Sequence, residues 1–302
     1  RPMLRLARSD LSQIAGFSFR LSVQNLFSYF TAVGDRLIVG RFLGVADLGY
    51  YGMANRLLRY PLATSVQTYR DVVFPSLARQ QDDDARMLET YRRTLGAITL
   101  VLLPICLTVA AVAGPLVRVV MGPQWIPAIP VLAVIAVVGG LQSLATTTGS
   151  LYLAKGRADL SLRWSMGSSV FMMACYGIGA LWGVTGVAVG FLVGTALLLY
   201  PAFRIPLGLL GVRPRSLVPA VGPPALCAVA GAGAAYAAVH AFGAAGQSDL
   251  VRLTAGVLVS LVVNLNLLLL LRPAALHDLL RLTIDVRGGR AAARTRDRED
   301  RA

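Results

Sequence analysis

Carboxylates are scarce in this chain, and so are the residues that most often hold metals. Its 302 residues include 15 Asp and Glu, two histidines and three cysteines. Cys106, Cys175 and Cys227 lie inside apolar runs without the paired spacing of a disulfide framework or a zinc site, so they read as small packing residues. His240 stands near an expected helix end and His277 in the C-terminal tail, and neither has a second ligand in view. No metal and no cofactor is expected. Charge of either sign is also thin: 15% of residues are charged, 56% are hydrophobic and the mean hydropathy is +0.64. That balance excludes an ordinary soluble domain and points to an all-α polytopic membrane protein.

Apolar runs able to cross about 30 Å of hydrocarbon recur about eight times. They cover residues 11–40, 49–75, 94–121, 127–153, 162–182, 186–203, 217–242 and 250–271. The formal charge of +14 would suggest nucleic acid in a soluble chain, but its placement has another cause. The segments on the side of the N-terminus hold 21 of the 29 basic residues. By the positive-inside rule both termini are cytoplasmic, and no nucleic-acid partner is needed to explain the charge. The chain starts at Arg1, shows no cleavable signal peptide and reads as a piece of a longer protein.

Between the spans, Gly122 to Trp125 and Gly183 to Gly186 read as tight outer turns. Trp125, Trp164 and Trp182 sit near helix ends, where interfacial anchors belong. The inner loop 76–93 is expected to form a short amphipathic surface helix, with the aspartates 82–84 as a solvated turn or helix start rather than a cation site. Gly186, Gly190 and Gly194 form a GxxxGxxxG ladder that lets a neighbouring helix approach, while Asn264 and Asn266 are expected to bond across helices. From residue 288 the tail is Arg-rich and lacks the large apolar residues needed to fold alone; near a membrane it would contact anionic lipid non-specifically.

Two spans carry polar groups that lipid would not tolerate. At about 100° per residue, Arg20, Gln24, Ser28, Thr31 and Asp35 fall within roughly 80° on one helix. An Arg or Asp at membrane depth costs about 3 kcal/mol on insertion scales, so such residues face a partner or a wet cavity. On the second span, Gly52, Arg56, Arg59, Ala63, Gln67 and Arg70 share a face with Asn55 at its edge, and Pro61 permits a kink. Packed as an antiparallel pair, these helices would line one basic cavity. Excess guanidinium at depth suits an anion, because its planar fork makes bidentate bonds to phosphate. The alternative is structural, with the arginines paired to Asp35 and Asp71. Candidate substrate contacts are therefore Arg20, Gln24, Asn55, Arg56, Arg59, Gln67 and Arg70, with Asp35 and Asp71 as ion-coupling groups or salt-bridge partners.

Residues 34–44 (GDRLIVGRFLG), 48–51 (LGYY) and 54–57 (ANRL) resemble the bacterial polysaccharide flippases of the MATE-like superfamily. Residues 74–82 (FPSLARQQD), 122–125 (GPQW) and 182–188 (WGVTGVA) continue that pattern in order. The resemblance runs from about residue 16 to residue 204. It implies no enzyme but a transporter moving polyprenyl-diphosphate-linked oligosaccharide across the bacterial cytoplasmic membrane by alternating access. Family members have two six-helix lobes and two added helices, so this chain resembles the second lobe (1–216) plus the added pair (217–272) and a basic, disordered tail (273–302). The partners implied are the lipid-linked oligosaccharide, membrane lipid, a missing N-terminal lobe, and the glycan polymerase and glycosyltransferases of the same route. A multidrug cation antiporter would want an acidic, aromatic cavity, and an intramembrane polymerase or ligase an outer catalytic loop. A non-transporting subunit of a glycan assembly complex is a further reading.

Overall fold

A computed structural model describes residues 8–58, 80 and 83–271, with side chains from residue 22 onward. The expected span 11–40 appears as α1 (Arg8–Phe42), an unbroken 35-residue helix about 50 Å long. Gly44 ends it in the left-handed region, at φ 101°, and α2 follows over 45–58. The remainder of the second expected span, with Arg59, Pro61, Gln67, Arg70 and Asp71, lies outside the described residues, as does the tail from 272.

Two expectations about the middle of the chain are corrected, while the third span, 127–153, is matched by Ala128–Ala154 with an internal break. Residues 84–93 are not a separate surface helix but the first turns of α3 (Asp84–Ala111), where Met87 and Tyr91 are buried. The aspartate run does serve as a helix start: the Asp83 side chain caps α3 by accepting from the Arg86 N–H at 3.0 Å. The span 94–121 breaks at Val112, beyond which α4 (Ala113–Val120) runs on its own. Pro115 in its first turn has no N–H for the carbonyl of Ala111, which favours the break. The span 127–153 likewise divides into α5 (Ala128–Ala145) and α6 (Thr148–Ala154). The hydroxyls of Thr146 and Thr148 bond back to the carbonyls of Ser143 and Ala145 there, competing with the helix ladder.

The later spans fall close to expectation as α7 (Ala158–Ala180), α8 (Gly183–Gly208), α9 (Val218–Ala244) and α10 (Asp249–Leu271). The expected turns are present at Gly122 and Gly183, which adopt φ of 90° and 76°, values a side chain would disfavour. Among the described residues, five segments are long and apolar enough to cross a bilayer: Asp84–Ala111, Ala128–Ala154, Gly183–Gly208, Pro214–Ala244 and Asp249–Leu271. α1 and α7 have the length but more polar groups, and these two pack against each other.

Helix neighbours follow the order α10, α9, α3, α5, α8, α7, α1. The principal apolar cluster lies at the meeting of α1, α2, α5, α7 and α8, around Val39, Tyr51, Val131, Leu132, Tyr176 and Val187. The glycine ladder of α8 packs against α7, so that a Cβ on Gly186 would fall on the carbonyl of Gly179 and one on Gly190 on that of Cys175. Across α3, α9 and α10, Thr108 and Ser260 share a hydroxyl hydrogen bond of 2.6 Å, while Asn264 bonds its own helix at Ser260 and seats against Gly231 of α9. Both asparagines depart from the expected bonds across helices, and Asn266 does so further. It is exposed and donates to the Val262 carbonyl of its own helix at 2.8 Å, because its position one turn-fraction from Asn264 turns it away from α9. Cys106 and Cys227 are buried and Cys175 is half-buried, all unbridged, in keeping with a packing role.

Candidate functional site

The polar stripe of α1 meets a second polar stripe that hydropathy had concealed. Ser161, Ser165, Ser169, Met172 and Tyr176 recur along one buried face of α7 at helical spacing. Ser28 and Ser165 lie 3.0 Å apart through their hydroxyls, and Thr31 donates to Ser169 at 2.6 Å. Ser169 in turn donates to the Phe27 carbonyl at 3.2 Å. Interhelical hydrogen bonds of this kind contribute on average about 0.6 kcal/mol each in a membrane, so small side-chain volume matters as much as the bonds in letting α1 and α7 approach.

One turn along α1, Asp35 is 3% exposed and accepts from the Tyr51 hydroxyl of α2 at 2.9 Å. It also accepts from the backbone N–H of Arg36 at 2.8 Å. The guanidinium of Arg36 stands 4.0 Å away, too far for a hydrogen bond. Asp35 thus accepts from a buried phenol, a bond that to a charged group is worth about 1.5–3 kcal/mol. On α2, Asn55 is buried and donates to the Tyr51 carbonyl at 3.3 Å. Tyr176 is fully buried, and its ring meets that of Phe191 edge-on with centroids 5.3 Å apart.

These groups open onto a cavity of about 360 Å³. Ser28, Thr31 and Asp35 line it from α1 and Asn55 from α2. Gln142 reaches it from α5, Trp164, Ser165, Ser168, Ser169 and Tyr176 from α7, and Phe191 from α8. Trp164 therefore faces the cavity rather than serving only as an interfacial anchor. Trp125 packs edge-on with Tyr50 at 5.9 Å, and Trp182 is 71% exposed at the far end of α7.

Among the described residues no arginine lines this cavity, and Arg56 is exposed on α2 away from the Asn55 side. The angular estimate put Asn55 at the edge of the arginine face, whereas here Asn55 and Leu58 point inward and Arg56 outward. Gln24 is half-buried one turn before Ser28, with its side-chain oxygen buried and unpartnered among the described residues, but it does not reach the cavity. Arg20 sits on α1, where no side chain before residue 22 is described; Arg59, Gln67, Arg70 and Asp71 lie outside the described residues. The antiparallel pairing of α1 with α2 supplies one wall. The other wall, from α7, was missed, although the serine spacing on that helix was readable.

Hydroxyls, amides, three aromatic rings and one carboxylate suit an uncharged polar ligand. An anion fits poorly, since a carboxylate and a phosphate charge 4 Å apart repel by about 4 kcal/mol at an effective dielectric of 20. Among the described residues no cluster of metal-binding side chains occurs.

Residues 1–130 match a family model described as polysaccharide biosynthesis protein. The chain is 31% identical over 175 residues to the teichuronic acid biosynthesis protein TuaB of Bacillus subtilis, covering 55% of this chain and 36% of that one. It is 28% identical over 194 residues to the lipopolysaccharide biosynthesis protein WzxC of Escherichia coli, covering 64% and 39%. It is 25% identical over 170 residues to the succinoglycan biosynthesis transport protein ExoT of Rhizobium meliloti, covering 56% and 34%. The chain thus spans about two fifths or less of these curated relatives. In fold it is similar to a solved lipid II flippase, MurJ, in an inward closed conformation, with a TM-score of 0.68 and 14% identity over 87% of this chain and 55% of that one.

Proposed function

We propose that this chain, which is similar to bacterial polysaccharide-biosynthesis proteins, belongs to the MATE-like flippases and forms one wall of a pathway for polyprenyl-diphosphate-linked oligosaccharide. The observation that carries this reading is the cavity of about 360 Å³ between α1, α2, α5, α7 and α8, lined by hydroxyls and amides inside a bundle whose outer surface is apolar. Ser, Thr, Asn and Gln side chains both donate and accept, as sugar hydroxyls require. Trp164, Tyr176 and Phe191 offer flat apolar surfaces to the C–H faces of a sugar ring. The diphosphate would be held elsewhere, by Arg20, Arg56, Arg59 and Arg70, while the prenyl tail stays in lipid.

In this reading eight spans make a six-helix lobe with an added pair, residues 1–216 and 217–272. Both termini are cytoplasmic in a bacterial cytoplasmic membrane, and the chain is a transporter component rather than an enzyme. A hydrophilic glycan cannot cross beside a single polar wall, because alternating access needs a second body to rock against. The partner is therefore a six-helix N-terminal lobe, and transport by residues 1–302 alone is not expected. In a flippase-deficient strain, glycan export should return when this chain is joined to such a lobe and stay at background without it. A cysteine replacing Asp83 in the same cells should resist a membrane-impermeant maleimide. Export by residues 1–302 alone would contradict the two-body pathway, and labelling at position 83 would contradict the orientation.

A further inference from the structure

The end of the bundle where α3 begins and α8 finishes carries more cationic charge than it can neutralise. Its described carboxylates are already engaged: Asp83 with Arg86, Glu89 with Arg93, Asp84 with Lys155 and Asp159 with Arg157. The Arg157 guanidinium, through its side-chain hydrogen bond, holds the Asp159 carboxyl below the usual carboxylate range. Besides Arg163 of α7, four arginines at this end have no carboxylate partner among the described residues: Arg92, Arg204, Arg213 and Arg215.

Residues beside these four belong to one apolar cluster. Tyr91 of α3, Leu207 of α8, Leu210 beyond it and Leu217 of the 3-10 turn Pro214–Leu217 form one buried cluster, with Phe203 and Val212 packed against it. Arg92 adjoins Tyr91, Arg204 adjoins Phe203, Arg213 adjoins Val212, and Arg215 lies two residues before Leu217. Arg204, Arg213 and Arg215 are exposed, while Arg92 is half-buried with a buried Nε that has no acceptor among the described residues, where the buried Ser216 hydroxyl also lacks a partner. The opposite end differs, since Arg118 and Arg252 both reach Asp249, at 3.4 and 3.0 Å. Arg92, Arg204 and Arg215 lie toward the ends of segments long and apolar enough to cross a bilayer.

We propose that this rim is a binding surface for the headgroups of anionic phospholipids, with Arg92, Arg204, Arg213 and Arg215 contacting phosphate. The occupant is bilayer lipid, because the arginines ring an apolar cluster at a helix-end collar, where a headgroup phosphate lies and its acyl chains continue along the apolar flanks of α8 and α9. Exposed Ile205 and Val218 lie on those flanks beside the rim. The inference is independent of what the transporter carries.

The test is native mass spectrometry of detergent-purified residues 1–302 titrated with phosphatidylglycerol or phosphatidylcholine. Phosphatidylglycerol should bind in preference, more weakly at high salt. Replacing all four arginines by Gln should weaken it about fivefold per residue, whereas replacing them by Lys should keep most of the affinity. The single changes Arg213→Gln and Arg215→Gln, at exposed positions, should each give about a fivefold loss and guard against misfolding of the fourfold variant. Equal binding of the two lipids, or unchanged phosphatidylglycerol affinity in the Gln variants, would overturn the proposal. So would displacement of phosphatidylglycerol by inorganic phosphate alone, which would mark a free-anion site instead.

Discussion

In this chain joined to a six-helix N-terminal lobe, Asp35→Asn is expected to leave a folded protein that exports glycan at least about tenfold more slowly than the unsubstituted fusion, a loss equivalent to about 1.4 kcal/mol in the limiting step. The amide still offers an oxygen to the Tyr51 hydroxyl, so the buried phenol at 2.9 Å keeps its acceptor and only the charge is removed. Asp35→Ala should behave differently. It leaves the Tyr51 hydroxyl buried without that acceptor, costing about 1–3 kcal/mol of stability in addition to the loss of export. Comparing thermal stability with export for the two variants therefore separates a structural carboxylate from one whose charge takes part in the transport cycle. Full export by Asp35→Asn would assign Asp35 to holding α1 against α2 and nothing more.

Gly186→Leu is expected to remove folded protein from the membrane. Gly179 and Gly186 approach backbone to backbone, so any Cβ on Gly186 meets the Gly179 carbonyl and the Trp182 Cβ before the rest of a leucine is placed. Overpacking a rotamer-flexible core costs about 1–3 kcal/mol, and here the obstacle is main chain that cannot turn aside, so the cost exceeds that range. Separation of α7 from α8 would also open one side of the cavity, since Tyr176 and Phe191 close it from those helices. Gly177→Leu, one helix face away with open space around it, should accumulate normally. Equal accumulation of the two variants, measured by size-exclusion of the detergent-solubilised protein, would contradict the close crossing.

Much of the architecture was legible because lipid imposes a simple rule on helix length and composition. Apolar runs placed α8, α9 and α10 within a few residues, and the ladder at Gly186, Gly190 and Gly194 announced a close helix crossing. The breaks at Val112 and at Thr146 were not readable from hydropathy, because the flanking residues stay apolar or small and only local bonding by Pro115, Thr146 and Thr148 reveals them. The α1 stripe of Ser28, Thr31 and Asp35 was recognised from its angular spacing, and these residues do share a cavity. Its serine counterpart on α7 was overlooked, since serine barely depresses hydropathy and a search weighted toward arginine passes over it. Arg56 shows the limit of a helical wheel: an error of one residue in facing places Asn55 inside and the guanidinium outside. The resemblance to polysaccharide flippases, read from motifs such as GDRLIVGRFLG, agrees with the relatives and with the MurJ-like fold.

The central claim is that the cavity beside Asp35 receives the sugar part of a lipid-linked glycan, and photocrosslinking measures this most directly. A photoreactive amino acid replacing Ser168, which lines the cavity, would be compared with one replacing Leu197, which is 60% exposed on the outer surface of α8. Both would be placed in this chain, joined to a six-helix N-terminal lobe, in cells exporting the glycan. The account predicts a glycan-bearing adduct from position 168 and none from position 197. Glycan adducts at position 197 with none at 168 would contradict it and place the sugar path outside this cavity.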